Sequence, residues 1–113
     1  MHELALIEEL CLLAADSAAQ QGATTIHSLQ VRIGDRSGVD AAALQMAFAV
    51  LAQHPRWSGT KLELEVVTTR CFCPHCKQAF TPMDVIHLCP QCGSLSTHLL
   101  QGRELELVSM EVS

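Results

Sequence analysis

Two Cys-x2-Cys pairs, Cys73-Pro74-His75-Cys76 and Cys89-Pro90-Gln91-Cys92, are separated by twelve residues. Each pair can turn two sulfurs toward one point. Two such turns facing each other supply the four-thiolate tetrahedron that Zn²⁺ prefers, at about 2.3 Å per bond. Pro74 and Pro90 open the turns, and Gly93 follows the second where a left-handed backbone is useful. Four thiolates leave no open coordination position, so Cys73, Cys76, Cys89 and Cys92 predict a structural zinc site and not a catalytic one. A redox Cys-x-x-Cys would stand alone in a βαβ setting, which is not the pattern here.

The opening Met1-His2-Glu3 carries a second chemistry. The α-amine of Met1, the peptide nitrogen between Met1 and His2, and the His2 imidazole can close a five-membered and then a six-membered chelate ring. Three nitrogens in one plane suit Ni(II) or Cu(II), whereas zinc takes a tetrahedron. Glu3 can add its peptide nitrogen or its carboxylate. The competing reading is a solvated terminal histidine.

The remaining candidates are weaker. Cys11 lies on an apolar stripe and reads as a small buried hydrophobe. Cys71 either ends the strand entering the cysteine segment or is an alternative ligand. His75, His87 and His98 can in principle exchange with a thiolate, but read as solvated loop histidines, and His27 and His54 have no partner pattern. Asp40 is a helix N-cap or, if that helix start lies near the amino terminus, a further nickel carboxylate.

These groups need elements to position them. Leu4, Ile7, Cys11, Ala14 and Ala18 recur at helical spacing, predicting an amphipathic helix over 3–20 that ends at Gly22. SLQVRIG, residues 28–34, alternates as a strand with Leu29, Val31 and Ile33 on its buried face. Asp40 opens a second helix through AAALQMAFAVLAQ that stops before His54-Pro55. TKLELEVVTT is a second strand with Leu62, Leu64 and Val66 facing inward, and RELELVSMEVS a third. Its alternation changes phase around Val108, which predicts a bulge or a change of face there.

At 113 residues the chain has room for one domain, or one with a small satellite. Twelve acidic side chains against seven Lys and Arg give a formal net charge of −5, so no positive field is available to attract phosphate backbones. Lys77 is the only Lys or Arg between Cys73 and Cys92, and the exposed aromatics for base stacking would be limited to Phe72 and Phe80. Nucleic acid is therefore not the expected partner. The apolar start is broken by Glu8, Glu9 and Asp16, which excludes a signal peptide or a membrane span and predicts a cytoplasmic protein. Six cysteines in such a chain point to metal before disulfides.

From MHE through IGDRSGVD and CPHC…CPQCGS to GRELELVSMEV, the chain resembles the HypA/HybF family of nickel metallochaperones for [NiFe]-hydrogenase, and in some organisms urease, maturation. The resemblance implies an α+β fold in which a three-stranded sheet packs on two helices, with a zinc-ribbon-like module inserted before the last strand. The boundaries expected are 1–69 plus 103–113 for the nickel-binding domain and 70–102 for the zinc module. It further implies transient nickel(II) at His2 with Met1 and Glu3 nearby, structural zinc(II) on the four cysteines, and no substrate turnover. The implied protein partners are the maturation GTPase HypB and the [NiFe]-hydrogenase large subunit. The rival is a zinc-stabilised protein-interaction or nucleic-acid-binding module with no nickel role.

Overall fold

The computed structural model describes residues 2–83, 86–96 and 98–113. In chain order it has α1 (Glu3–Gln20), β1 (Ile26–Gly34), α2 (Ala41–Leu51), β2 (Lys61–Val67), β3 (Arg70–Cys73), β4 (Gln78–Phe80), β5 (His98–Gln101) and β6 (Leu105–Val112). The fold is α+β, with two three-stranded sheets ordered β2-β1-β6 and β4-β3-β5. The second sheet holds Cys71 and Cys73, has Cys76, Cys89 and Cys92 in the turns beside its strands, and enters the chain between β2 and β6.

The first sheet is mixed. β1 runs parallel to β2, with α2 as the crossover, and antiparallel to β6. Its alternation sends Leu29, Val31 and Ile33 into a core shared with Ile7, Leu10 and Ala14 of α1 and Leu44 and Phe48 of α2. Trp57, the one tryptophan, closes that core. The other face is polar: Gln30 bonds Ser28 and Glu63, while Arg32 pairs with Glu65 and Glu106. Asp40 caps α2 by accepting the Ala43 N–H at 3.1 Å, as its position before the apolar run predicts.

The phase change in the last strand is a bulge. Gln30 faces Ser109 and Val31 faces Leu107, so Val108 is the extra residue, and it points outward. Leu105 and Leu107 precede it against the core, and Met110 and Val112 resume the apolar face after it.

Two expectations change. Val66 is 56% exposed, not inward, while Leu62 is buried and Leu64 half-buried. β2 is an edge strand, and burial along its alternating positions falls from Leu62 through Leu64 to Val66. Phe80 is not an exposed stacking aromatic. It is buried opposite Cys71, and only Phe72 of the pair is half-exposed, tilted against His98 with centroids 6.2 Å apart. The surface open to a base is thus smaller than the composition suggested.

The sheets meet at a narrow junction. The Gly34 N–H donates to the Glu104 carbonyl at 2.7 Å, the Asp35 N–H to the Val67 carbonyl at 2.9 Å, and the Arg36 N–H to the Gly102 carbonyl at 2.7 Å. A Cβ on Gly34 would overlap the Gly102 carbonyl, and one on Gly102, at φ +127, would lie 2.8 Å from the Thr69 Cα. Backbones approach this closely only because both residues lack side chains.

Candidate metal centre

Strand alternation places Cys71 and Cys73 on the buried face of β3, and the chain turns sharply after Cys73. The Lys77 N–H donates to the Cys73 carbonyl at 2.7 Å, with Lys77 at φ 56, and the Cys76 N–H points at the Cys73 sulfur at 3.4 Å. The second turn repeats the device: the Gly93 N–H donates to the Cys89 carbonyl at 2.8 Å, with Gly93 at φ 74. A left-handed residue directly after the second cysteine of each pair reverses the chain, so all four sulfurs can converge.

They do converge. The Cys73, Cys76, Cys89 and Cys92 sulfurs lie within 4.8 Å of one another. Cys73 and Cys92 are 3.5 Å apart, and Cys76 and Cys89 are 4.0 Å apart. A tetrahedron with bonds of about 2.3 Å has edges of about 3.8 Å, so these separations straddle the size a thiophilic divalent cation needs. Hydrogen bonds from the side chain and backbone of Ser94 bring the Cys92 thiol down to about 6. Its neighbour Cys76 is pushed up to about 12, chiefly by its hydrogen bond to Cys92. Four thiols so close share protons unevenly, and a cation that displaces those protons relieves the crowding. The donor set fits a closed metal site.

Little else holds this segment together. Its buried cluster is Cys71, Cys73, Phe80 and Cys89, with Cys76 and Leu99 against it. Cys71 belongs to that core: it faces Phe80 and Leu99 and stays outside the four-sulfur group, its thiol raised by burial. Among the described residues no histidine joins the group. His75 and His98 are exposed, and the half-buried His87 accepts the Ser96 N–H through its carbonyl at 2.8 Å. His27 lies 2.8 Å from the Ser113 hydroxyl, and His54 accepts the Arg56 N–H at 3.1 Å.

At the amino terminus, Met1 lies outside the described residues. His2 occupies the N-cap position of α1 in extended conformation, and its carbonyl accepts the Leu6 N–H at 3.2 Å. Its imidazole is exposed and makes no capping bond, and Glu3 is half-buried in the first turn.

Sequence reasoning missed the pieces that join the two sheets. Asp35 lies in the turn-rich GDRSG, Thr69 closes the stretch TKLELEVVTT that reads as the second strand, and Gly102 stands just before the third, so no local pattern pairs them. A strand entering the cysteine segment is expected to end at Cys71 and instead runs on to Cys73, while β4 and β5, three and four residues long, are not anticipated. The repeated glycine and threonine breaks flanking the cysteine segment were the available signal.

The chain matches, over residues 1–112, the family described as hydrogenase/urease nickel incorporation, metallochaperone, hypA. It is 43% identical over 112 residues to the hydrogenase maturation factor HypA of Picosynechococcus sp., covering 99% of each chain. To the HypA of Chloroflexus aurantiacus it is 37% identical, covering 98% of each. The solution structure of the nickel metallochaperone HypA from Helicobacter pylori superposes with a TM-score of 0.68 at 26% identity, covering 99% of this chain and 97% of that one.

Proposed function

The chain belongs to the HypA family, and on that premise we propose that it is a nickel metallochaperone for [NiFe]-hydrogenase maturation, with urease as a further recipient class. Nickel(II) is its cargo and not a resident cofactor. The observation that carries the reading is the pairing, in a chain matched end to end by that family, of a four-cysteine cage with an exposed His2 beside Glu3 at the first turn of α1.

The two sites suit opposite tasks. Zinc(II) on Cys73, Cys76, Cys89 and Cys92 is enclosed by four soft ligands and stays, stabilising the module at 70–102. Nickel is held by the His2 imidazole, the Met1 amine and the intervening peptide nitrogen, with Glu3 supplying a further donor. His2 is exposed and the donor set is incomplete, so an acceptor with better ligands can take the ion. Its scaffold is the domain of 1–69 plus 103–113. Asp40 serves α2 as its N-cap through one carboxylate oxygen.

The chain acts as a carrier in this reading, not as an enzyme. Its partners are the maturation GTPase HypB and the hydrogenase large subunit, and its place is the cytoplasm. Among the described residues no helix is long and apolar enough to cross a membrane.

The test is a nickel titration of protein with its native amino terminus beside protein extended by one residue before Met1 and beside His2→Ala. Both changes should abolish tight nickel binding while bound zinc stays at one per chain. Unchanged nickel affinity in the extended protein would sink the terminal chelate.

A further inference from the structure

α1 and α2 cover the first sheet, and their outer surface exposes large apolar side chains beside the acidic ones of α1, where a solvent-facing helix layer is normally polar. α2, AAALQMAFAVL, contains no charged residue, yet Met46 is 72% exposed and Val50 is also exposed. On α1, Leu12 is 71% exposed. Between the helices a groove of about 350 Å³ is lined by Cys11, Leu12 and Ala15 of α1, Leu51 of α2 and Trp57. Space of that size receives two or three aliphatic side chains, the usual footprint of a helix laid in a groove.

Charge selects the occupant. Neither helix contains a lysine or arginine, whereas α1 carries Glu3, Glu8, Glu9 and Asp16. Glu8 lines one side of the groove; Arg56, its guanidinium carbon 5.6 Å from the Trp57 ring centre, lines another. A second copy would bring a like acidic layer against this one, which costs free energy, while a cationic polar face is attracted and steered. We propose that this groove is the docking site for an amphipathic helix of a partner protein, apolar on one face and rich in lysine or arginine along its flanks. The proposal stands whichever metal the chain carries.

Trp57 is the only tryptophan and the chain has no tyrosine, so its emission reports occupancy directly. The probe is a synthetic helix of about 18 residues, ~27 Å long, with a leucine face and lysine or arginine flanks, titrated into the metal-loaded protein. A second peptide has the same leucine face and glutamate flanks. The basic peptide should shift Trp57 emission saturably and bind at least about tenfold tighter than the acidic one, which is about 1.4 kcal/mol. Leu12→Glu should weaken it by about tenfold or more; Leu13→Glu, also well exposed but outside the groove, should not. Equal binding of both peptides, absence of binding, or indifference to Leu12→Glu overturns the proposal. So does a concentration-dependent shift of Trp57 without peptide that Leu12→Glu abolishes, since the occupant is then a second copy. Nickel and zinc stoichiometry measured on Leu12→Glu should be unchanged, which separates failure of the groove from failure of the carrier reading.

Discussion

Thr69 donates to the Asp35 carboxylate twice over. Its backbone N–H reaches the two carboxylate oxygens at 3.1 and 3.2 Å, and its hydroxyl bonds the first of them. Asp35 follows the last residue of β1 and Thr69 immediately precedes β3, so this clamp ties the helix-covered sheet to the cysteine-bearing one.

Asp35→Ala removes the acceptor from both donors of Thr69. Hydrogen bonds to a charged group contribute about 1.5–3 kcal/mol, so a loss in that range is expected on denaturant unfolding. Amide exchange at Thr69 should accelerate while exchange in the middle of β1 is unaffected. Equal acceleration throughout β1 would mean the carboxylate supports the whole domain and not the junction.

Gly102→Ala places a Cβ 2.8 Å from the Thr69 Cα at φ +127. Overpacking costs about 1–3 kcal/mol, and the left-handed backbone adds about 1–2 kcal/mol. Poor folding or a sharply lowered midpoint is expected. Gly59→Ala, with nothing within 4 Å, is the matched control and should be near neutral.

Removal of the metal by a chelator should melt the cysteine-bearing sheet selectively. Among the described residues, the buried cluster of that sheet adds to its cysteines Phe80 and the half-buried Leu99, whereas metal binding contributes on the order of 10 kcal/mol in small zinc modules. Exchange protection at Cys71–Cys73 should vanish while β1, β2 and β6 keep theirs. Trp57, 8% exposed in the other core, should keep its emission. Simultaneous collapse of both sheets would show that they fold as one unit.

Lys77 holds φ 56 where the second turn uses Gly93. Lys77→Gly should raise the stability of the metal-loaded protein by up to about 1 kcal/mol, because the left-handed conformation is strained for a residue with a Cβ. Gly93→Lys should lose a comparable amount. Denaturant midpoints of the two variants moving the same way would contradict the equivalence of the two turns.

Burial pushes the Cys11 thiol up from 9.0 to about 11. The folded state therefore keeps this proton at a pH where the unfolded chain has lost it. The stabilisation is complete below pH 9 and declines as pH rises from 9 toward about 11. Cys11→Ala should flatten that alkaline decline in a pH series of unfolding midpoints. An identical slope in wild type and variant would assign it elsewhere.

Local periodicity and motif spacing sufficed for the parts whose physics is local. The 3.6 spacing of Ile7, Cys11, Ala14 and Ala18 specifies α1, Asp40 before an apolar run marks the start of α2, and the phase slip at Val108 marks an irregularity, a bulge or a change of face, that the strand pairing settles as a bulge. The two Cys-x2-Cys turns likewise announce a four-sulfur cage, because each turn closes on its own backbone hydrogen bond. Relations between distant segments were left to the tertiary structure. Val66 alternates correctly and still faces water, because burial depends on what covers an edge strand. Phe80 is a core residue because Cys71 stands opposite it across a three-residue strand too short to read. Asp35 and Thr69, thirty-four positions apart, meet only once Gly34 and Gly102 let two backbones touch, and Leu12 lines a groove only because α2 and Trp57 supply its other wall. Each of these depends on which surfaces come into contact, and a one-dimensional pattern does not encode the partner.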